Sequence, residues 1–218
     1  SIRWALLASQ SIGKSTSTNL LRSDDVLSTL NCLKKLGVKI YLFKNKCEIY
    51  GTGINGYKYK KNIILNAGNS GTLARLIMGL LVHSKNKIKI IGDKSLSKRD
   101  FLRVTKPLEK FGAKFKTNFG KLPVVIKGTE NPVPIKYIEN KGSAQCKSAV
   151  MLAALNTEGE TVIKAKKSRN HTEIMLKSCT NNLTIENVQM SGSASPVKYT
   201  CVAKNEGGVS KGNVTLVY

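Results

Sequence analysis

At 218 residues the chain has room for one large domain or two small ones, and a domain of this size buries about 70% of its unfolded surface. An apolar fraction of 41% and a charged fraction of 22% exclude wholesale disorder. A net charge of +23 points to anionic partners, but the lysines are scattered and only seven Tyr, five Phe and one Trp are available for base stacking, so small anionic substrates rank ahead of nucleic acid. The five cysteines (Cys32, Cys47, Cys146, Cys179, Cys201) show no C-x-x-C spacing, which argues against a zinc site or a complete disulfide framework. No apolar run reaches the ~20 residues of a membrane span, and a reducing, cytoplasmic setting is expected.

In chain order, residues 4–8 read at least as well as helix as they do as strand. Val26, Leu30, Leu33 and Leu36 recur at helical steps after Ser23-Asp24-Asp25, which predicts a capped amphipathic helix over 24–36, stopped by Gly37. Residues 38–43 and 47–50 alternate as short strands around Lys44-Asn45-Lys46. A helix over 72–82 follows Asn69-Ser70-Gly71 and leads into a strand at 87–91.

The same order then restarts. A helix over 101–111 ends at Gly112, short strands follow at 113–116 and 124–126, and Gly142-Ser143-Ala144-Gln145 leads into a helix over 146–155 and a strand at 161–164. Gly37-Val38-Lys39-Ile40 and Gly112-Ala113-Lys114-Phe115 hold the same place in the two passes, an internal duplication with a period of about 74 residues. A third pass opens at Ser168-Arg169-Asn170-His171-Thr172-Glu173 and gives way, near residue 177, to a Ser-, Thr-, Asn- and Gly-rich tail with strand-like alternation at 183–190, 199–204 and 213–218. The predicted fold is therefore α/β (α+β), with repeated units over 1–177 and a β-rich tail over 178–218.

Small-residue turns that open a helix expose free N–H groups and the positive end of its dipole, and these bind anions. Such turns recur at Asn69-Ser70-Gly71-Thr72 and Gly142-Ser143-Ala144-Gln145, in the same frame as Arg3, Arg75, Arg99 and Arg169. The segments Asn69-Ser70-Gly71-Thr72-Leu73-Ala74-Arg75-Leu76, Gly92-Asp93-Lys94-Ser95-Leu96-Ser97-Lys98-Arg99, Gly142-Ser143-Ala144-Gln145-Cys146-Lys147-Ser148-Ala149 and Ser168-Arg169-Asn170-His171-Thr172-Glu173 resemble successive motifs of the 5-enolpyruvylshikimate-3-phosphate synthase family. Leu20-Leu21-Arg22-Ser23-Asp24-Asp25-Val26-Leu27 resembles a further one, so the resemblance runs from Ser1 to about Lys177.

This resemblance implies two domains of three βαβαββ units that close over their substrates, and transfer of the enolpyruvyl group from phosphoenolpyruvate to the 5-hydroxyl of shikimate 3-phosphate with release of phosphate. By residue-to-residue match it assigns Ser1, Arg3, Ser143, Gln145 and Arg169 to shikimate 3-phosphate, and Gly71, Arg99 and Gln145 to phosphoenolpyruvate. His171 is matched to no proton transfer and is expected to order the helix start. No metal or organic cofactor is implied. The family's substrate-contacting Lys matches a position before Ser1, and its acid/base carboxylates belong to a second domain with no counterpart in this sequence. The expectation is a substrate-binding half that needs that domain and has little or no turnover alone.

The tail resembles the last strands of an immunoglobulin domain, through Leu183-Thr184-Ile185-Glu186-Asn187-Val188, residues 199–208 and Asn213-Val214-Thr215-Leu216-Val217, without that fold's partner cysteine or core Trp. A joined sequence explains it better than a local replacement completing the third repeat, and sequons at Asn170, Asn182 and Asn213 read as chance matches. Two alternative functions remain. Ala8-Ser9-Gln10-Ser11-Ile12-Gly13-Lys14-Ser15 fits a relaxed phosphate-loop pattern, and the charge suits a basic module for nucleic acid or a protein partner.

Overall fold

Residues 4–8 are helical: α1 spans Ile2–Gln10 and buries Ala5, Leu6, Ala8 and Ser9. The computed structural model describes residues 1–179, 183–187, 197–203 and 212–217; the sequon at Asn182 and the parts of the tail reading at 188–190, 204–208 and 218 lie outside the described residues. After α1 the chain enters β1 (Ile12–Thr18), which pairs antiparallel with β3 (Lys46–Thr52) from Ile12↔Thr52 to Thr18↔Lys46. A phosphate loop needs the opposite order, strand then helix, with N–H groups converging on the anion. Here the backbone around Gly13 belongs to a strand pair, which corrects the nucleotide-binding alternative.

The first pass continues with α2 (Asp24–Lys35) and β2 (Lys39–Leu42) ahead of β3. Asp24 and Asp25 in its first turn and Lys34 and Lys35 in its last match the α2 dipole at both ends. The second pass is a full βαβαββ unit: β4 (Ile63–Asn66), α3 (Gly71–Leu80), β5 (Ile88–Ile91), α4 (Lys94–Ser97) with α5 (Leu102–Glu109), β6 (Lys114–Asn118) and β7 (Lys121–Lys127). The third opens with β8 (Lys136–Glu139), α6 (Ala144–Leu155), β9 (Gly159–Ala165) and α7 (His171–Cys179), and the tail adds β10 (Leu183–Asn187), β11 (Val197–Ala203) and β12 (Gly212–Val217). Gly37 and Gly112, the pair that marked the duplication, both take positive φ, +88° and +102°, where the chain leaves α2 and α5.

The strands obey the repeat. The first sheet is ordered β1-β3-β2 and the second β4-β5-β7-β6, so β1, β3 and β2 stand where β5, β7 and β6 stand one unit later. In both, the closing hairpin pairs antiparallel with the strand that precedes it. The third sheet departs from this: its order is β10-β11-β12-β9-β8, and β9 is flanked by β12 in parallel, from Gly212↔Gly159 to Val217↔Lys164.

One core joins the passes, centred on helices α1, α3 and α6. Every residue of α6 from Cys146 to Leu155 is buried, as are Leu73, Ala74 and Leu76 to Leu80 of α3. The helices run in the same sense. Thr72 and Gln145 meet in their first turns and Gly79 meets Ala149 further along, while Asn156 at the end of α6 donates to Gln10 at the end of α1 at 3.5 Å. At Gly79 the α3 backbone lies directly against α6, because a Cβ there would overlap the Ala149 carbonyl oxygen. Among the described residues no helix is long and apolar enough to cross a membrane.

Beyond the far end of α3 a cavity of about 720 Å³ is lined by Tyr57, Tyr59, Leu80, His83, Lys85 and Glu130, among others. Burial pushes the His83 imidazole down to about 4. Two outcomes follow from the core. Gly79→Ala forces the α3–α6 pair apart and lowers unfolding free energy by about 1–3 kcal/mol in urea titration. Because the unfolded imidazole takes up a proton near pH 6.5 and the folded one resists until about 4, stability falls as pH drops through that interval, and His83→Gln flattens this part of a pH–stability profile.

Candidate functional site

Three helix starts lie together at the near end of the core. Ser70 caps α3 by accepting from Leu73 N at 3.3 Å, and Ser143 caps α6 by accepting from Cys146 N at 3.3 Å. The turn before α6 is held by the buried Glu139, whose carboxylate accepts from Ser143 N at 2.7 Å and from Lys141 N at 3.3 Å. Ser1 stands at the start of α1, and its hydroxyl accepts from Leu21 N at 3.2 Å. Co-directed helices present three positive dipole ends on one face.

Cations gather on that face in two groups. In the first, Arg75 Nη1 donates to Gln145 Oε1 at 2.7 Å, and Gln145 Nε2 donates to Thr72 Oγ1 at 3.0 Å, so the Gln145 amide bridges α6 and α3. The Arg75 guanidinium also lies over the Phe101 ring, 5.1 Å from its centroid. Arg99 is aimed by a polar chain: Asp93, which caps α4, accepts from Asn69 Nδ2 at 2.6 Å, and Asn69 Oδ1 accepts from Arg99 Nη2 at 2.8 Å. Gly71 sits between the two guanidiniums, since a Cβ there would lie 2.8 Å from Arg75 Nη1 and 3.0 Å from Arg99 Nη1. Burial lowers the Arg75 pKa from its ordinary value, with Arg99 and Arg103 adding to the effect and Cys146 and Asp100 opposing it. It remains a cation.

The second group is formed by Arg3, Lys147 and Arg169. Arg3 Nε donates to Thr172 Oγ1 at 2.8 Å, and burial lowers its pKa, against the attraction of Glu173 and with the repulsion of Arg169. Lys147 and Glu173 form an ion pair with both side chains essentially out of solvent, joining α6 to the first turn of α7. Burial depresses the Lys147 ammonium and Glu173 counters it. Breaking such a pair leaves a buried charge uncompensated, whereas the intact pair ties two helices together. Arg169, on the loop before α7, is exposed, as is Arg99.

Of the residues singled out from the sequence, Gly71, Arg99 and Gln145 share one group of contacts, while Arg3 and Arg169 belong to the other, and Ser143 caps α6. Sequence reading named Arg75 as part of the cationic frame without giving it a partner, and missed Asn69, Lys147, Thr172 and Glu173 as structural members. Lys147 carried a usable signal, a lone charge in an apolar helix that requires a buried counter-charge. Among the described residues no cluster of three or more His, Cys, Asp and Glu side chains could hold a metal ion, and Cys32, Cys47 and Cys146 are free, buried thiols.

Guanidinium forks at co-directed helix starts are chemistry for small molecules bearing phosphate and carboxylate groups. The comparisons agree with that class. The family model for EPSP synthase (3-phosphoshikimate 1-carboxyvinyltransferase) matches residues 1–207. The 3-phosphoshikimate 1-carboxyvinyltransferase of Paramagnetospirillum magneticum is 40% identical over 195 residues, covering 88% of this chain and 44% of that protein. That of Ruthia magnifica is 45% identical over 176 residues, covering 80% and 40%. The EPSP synthase structure from Acinetobacter baumannii superposes with a TM-score of 0.80 at 32% identity, over 99% of this chain and 46% of that one. The chain belongs to the EPSP synthase family, and it spans less than half the length of these relatives.

A methyl group at position 71 tests the geometry directly. In Gly71→Ala the guanidinium ends of Arg75 and Arg99 must move, which flexible side chains can do, so a crystal structure of the variant is expected to show both displaced with the α3 backbone unchanged.

Proposed function

We propose that this chain is the substrate-binding half of an enzyme that transfers the enolpyruvyl group of phosphoenolpyruvate to the 5-hydroxyl of shikimate 3-phosphate. The observation that carries the reading is the arrangement of Gly71, Arg75, Arg99 and Gln145 beside Arg3 and Arg169 on one face of three helix starts. Arg3, Arg169, Ser143 and Ser1 take shikimate 3-phosphate. Arg99 and the backbone of Gly71 take phosphoenolpyruvate, and Gln145 lies between the two.

In this reaction the 5-hydroxyl oxygen bonds to the enol carbon of phosphoenolpyruvate. The hydroxyl proton passes to a base while the methylene carbon gains a proton, giving a tetrahedral intermediate. Loss of a methyl proton and of phosphate then restores the double bond. The cations of this face hold the two substrates in register and balance charge at the departing phosphate. The acid and base come from a second domain closing on this face. A cytoplasmic setting, where thiols stay reduced, suits the buried cysteines.

Calorimetry on the 218-residue chain tests the assignment. Saturable binding of shikimate 3-phosphate is expected, with loss of about tenfold in affinity in Arg169→Ala and a similar loss for phosphoenolpyruvate in Arg99→Ala, the scale of one charge-assisted hydrogen bond. Binding of neither substrate, with salt-sensitive binding of DNA instead, would favour a basic nucleic-acid module.

A further inference from the structure

Arg3 has four rotatable side-chain bonds before its guanidinium plane, so its place over the face must be fixed from outside its own helix. The contact that fixes it comes from α7, where Thr172 Oγ1 accepts the Arg3 Nε–H at 2.8 Å. Thr172 is 2% exposed, and the same oxygen lies 2.7 Å from Ser148 Oγ in the second turn of α6. Beside it, Glu173 is paired with Lys147, also from α6. Thr172 is thus held against α6 on two sides, and it passes that constraint to a side chain from the start of the chain.

We propose that Thr172 is a positioning residue that aims Arg3 at the phosphate of shikimate 3-phosphate. This rests on the substrate reading given above. The physical reason is the planarity of the guanidinium: Nε is conjugated with both Nη groups, so a hydrogen bond at Nε sets the plane of the whole fork. With Nε held by Thr172, the two Nη groups form the edge presented to an anion, which suits paired recognition of phosphate oxygens. Without the Thr172 hydroxyl, the fork would have to be ordered anew each time ligand bound, and that ordering opposes affinity.

The test is calorimetric titration of the full chain with shikimate 3-phosphate, with thermal unfolding of each variant as a control for folding. Thr172→Val, close to isosteric, is expected to weaken binding by about tenfold, and Thr172→Ser, which keeps the oxygen, to bind within about twofold of the parent. The double variant Arg3→Ala/Thr172→Val should bind no more weakly than Arg3→Ala alone, because Thr172 acts through Arg3. Ser148→Ala, which leaves the Arg3 contact itself intact, gives a second route with a smaller loss if Thr172→Val does not fold.

Parent-like binding by Thr172→Val, or by Ser148→Ala where the first variant does not fold, would overturn the proposal. So would losses that multiply in the double variant. If the parent chain binds and Arg3→Ala weakens it while Thr172→Val does not, only the positioning role fails. If the parent chain does not bind at all, the substrate reading fails and this inference with it.

Discussion

The close packing of α3 against α6 is the constraint on which the rest of the molecule depends. Gly79 lets the α3 backbone rest on the carbonyl of Ala149, and with that contact fixed the first turns of the two helices come level, so that Gln145 reaches both Thr72 and Arg75. α1 joins the same bundle in the same sense. Helices packed in one direction add their dipoles at one end, and the molecule meets that unfavourable sum by making the end a place for anions. The flanking sheets are what permit it, since each βαβ step returns the chain to the same edge before the next helix begins.

Bringing so many cations together requires local compensation. Arg75 lies against the face of Phe101 and donates to Gln145, Asp93 orders Arg99 through Asn69, and Glu173 is placed between α6 and the Arg3 side of the face. None of these partners covers the outer edge, where Arg99 and Arg169 remain in solvent. In water such charges attract an anion only weakly, and their attraction grows as water is excluded. The face is therefore ordered within and wet at its rim.

Legibility varied with the kind of signal. α2 was readable from apolar spacing because one of its faces is buried and the other is wet, and Gly37 and Gly112 were readable as a pair because a positive φ favours glycine. β1 was not readable: Ile-Gly-Lys-Ser-Thr-Ser-Thr has no apolar alternation, its one large apolar residue, Ile12, is exposed, and only pairing with β3 makes it a strand. The phosphate-loop match in the same stretch shows the same weakness, since a motif carries meaning only with the strand-to-helix order around it. The parallel seating of β12 on β9 rests on pairing between segments about fifty residues apart, which local pattern does not encode.

The sequence alone determined the repeat, the helix starts rich in small residues and the identity of the cations near them, because these depend on local periodicity, caps and backbone conformation. Which cation meets which partner was decided only in the tertiary structure. Arg75 and Gln145 are 70 residues apart, Arg3 and Thr172 are 169 apart, and Lys147 finds Glu173 only once α6 and α7 are packed. A side chain of four or five bonds can point almost anywhere from its own helix. Its direction is a property of what surrounds it, and that environment exists only when the three passes have folded onto one another.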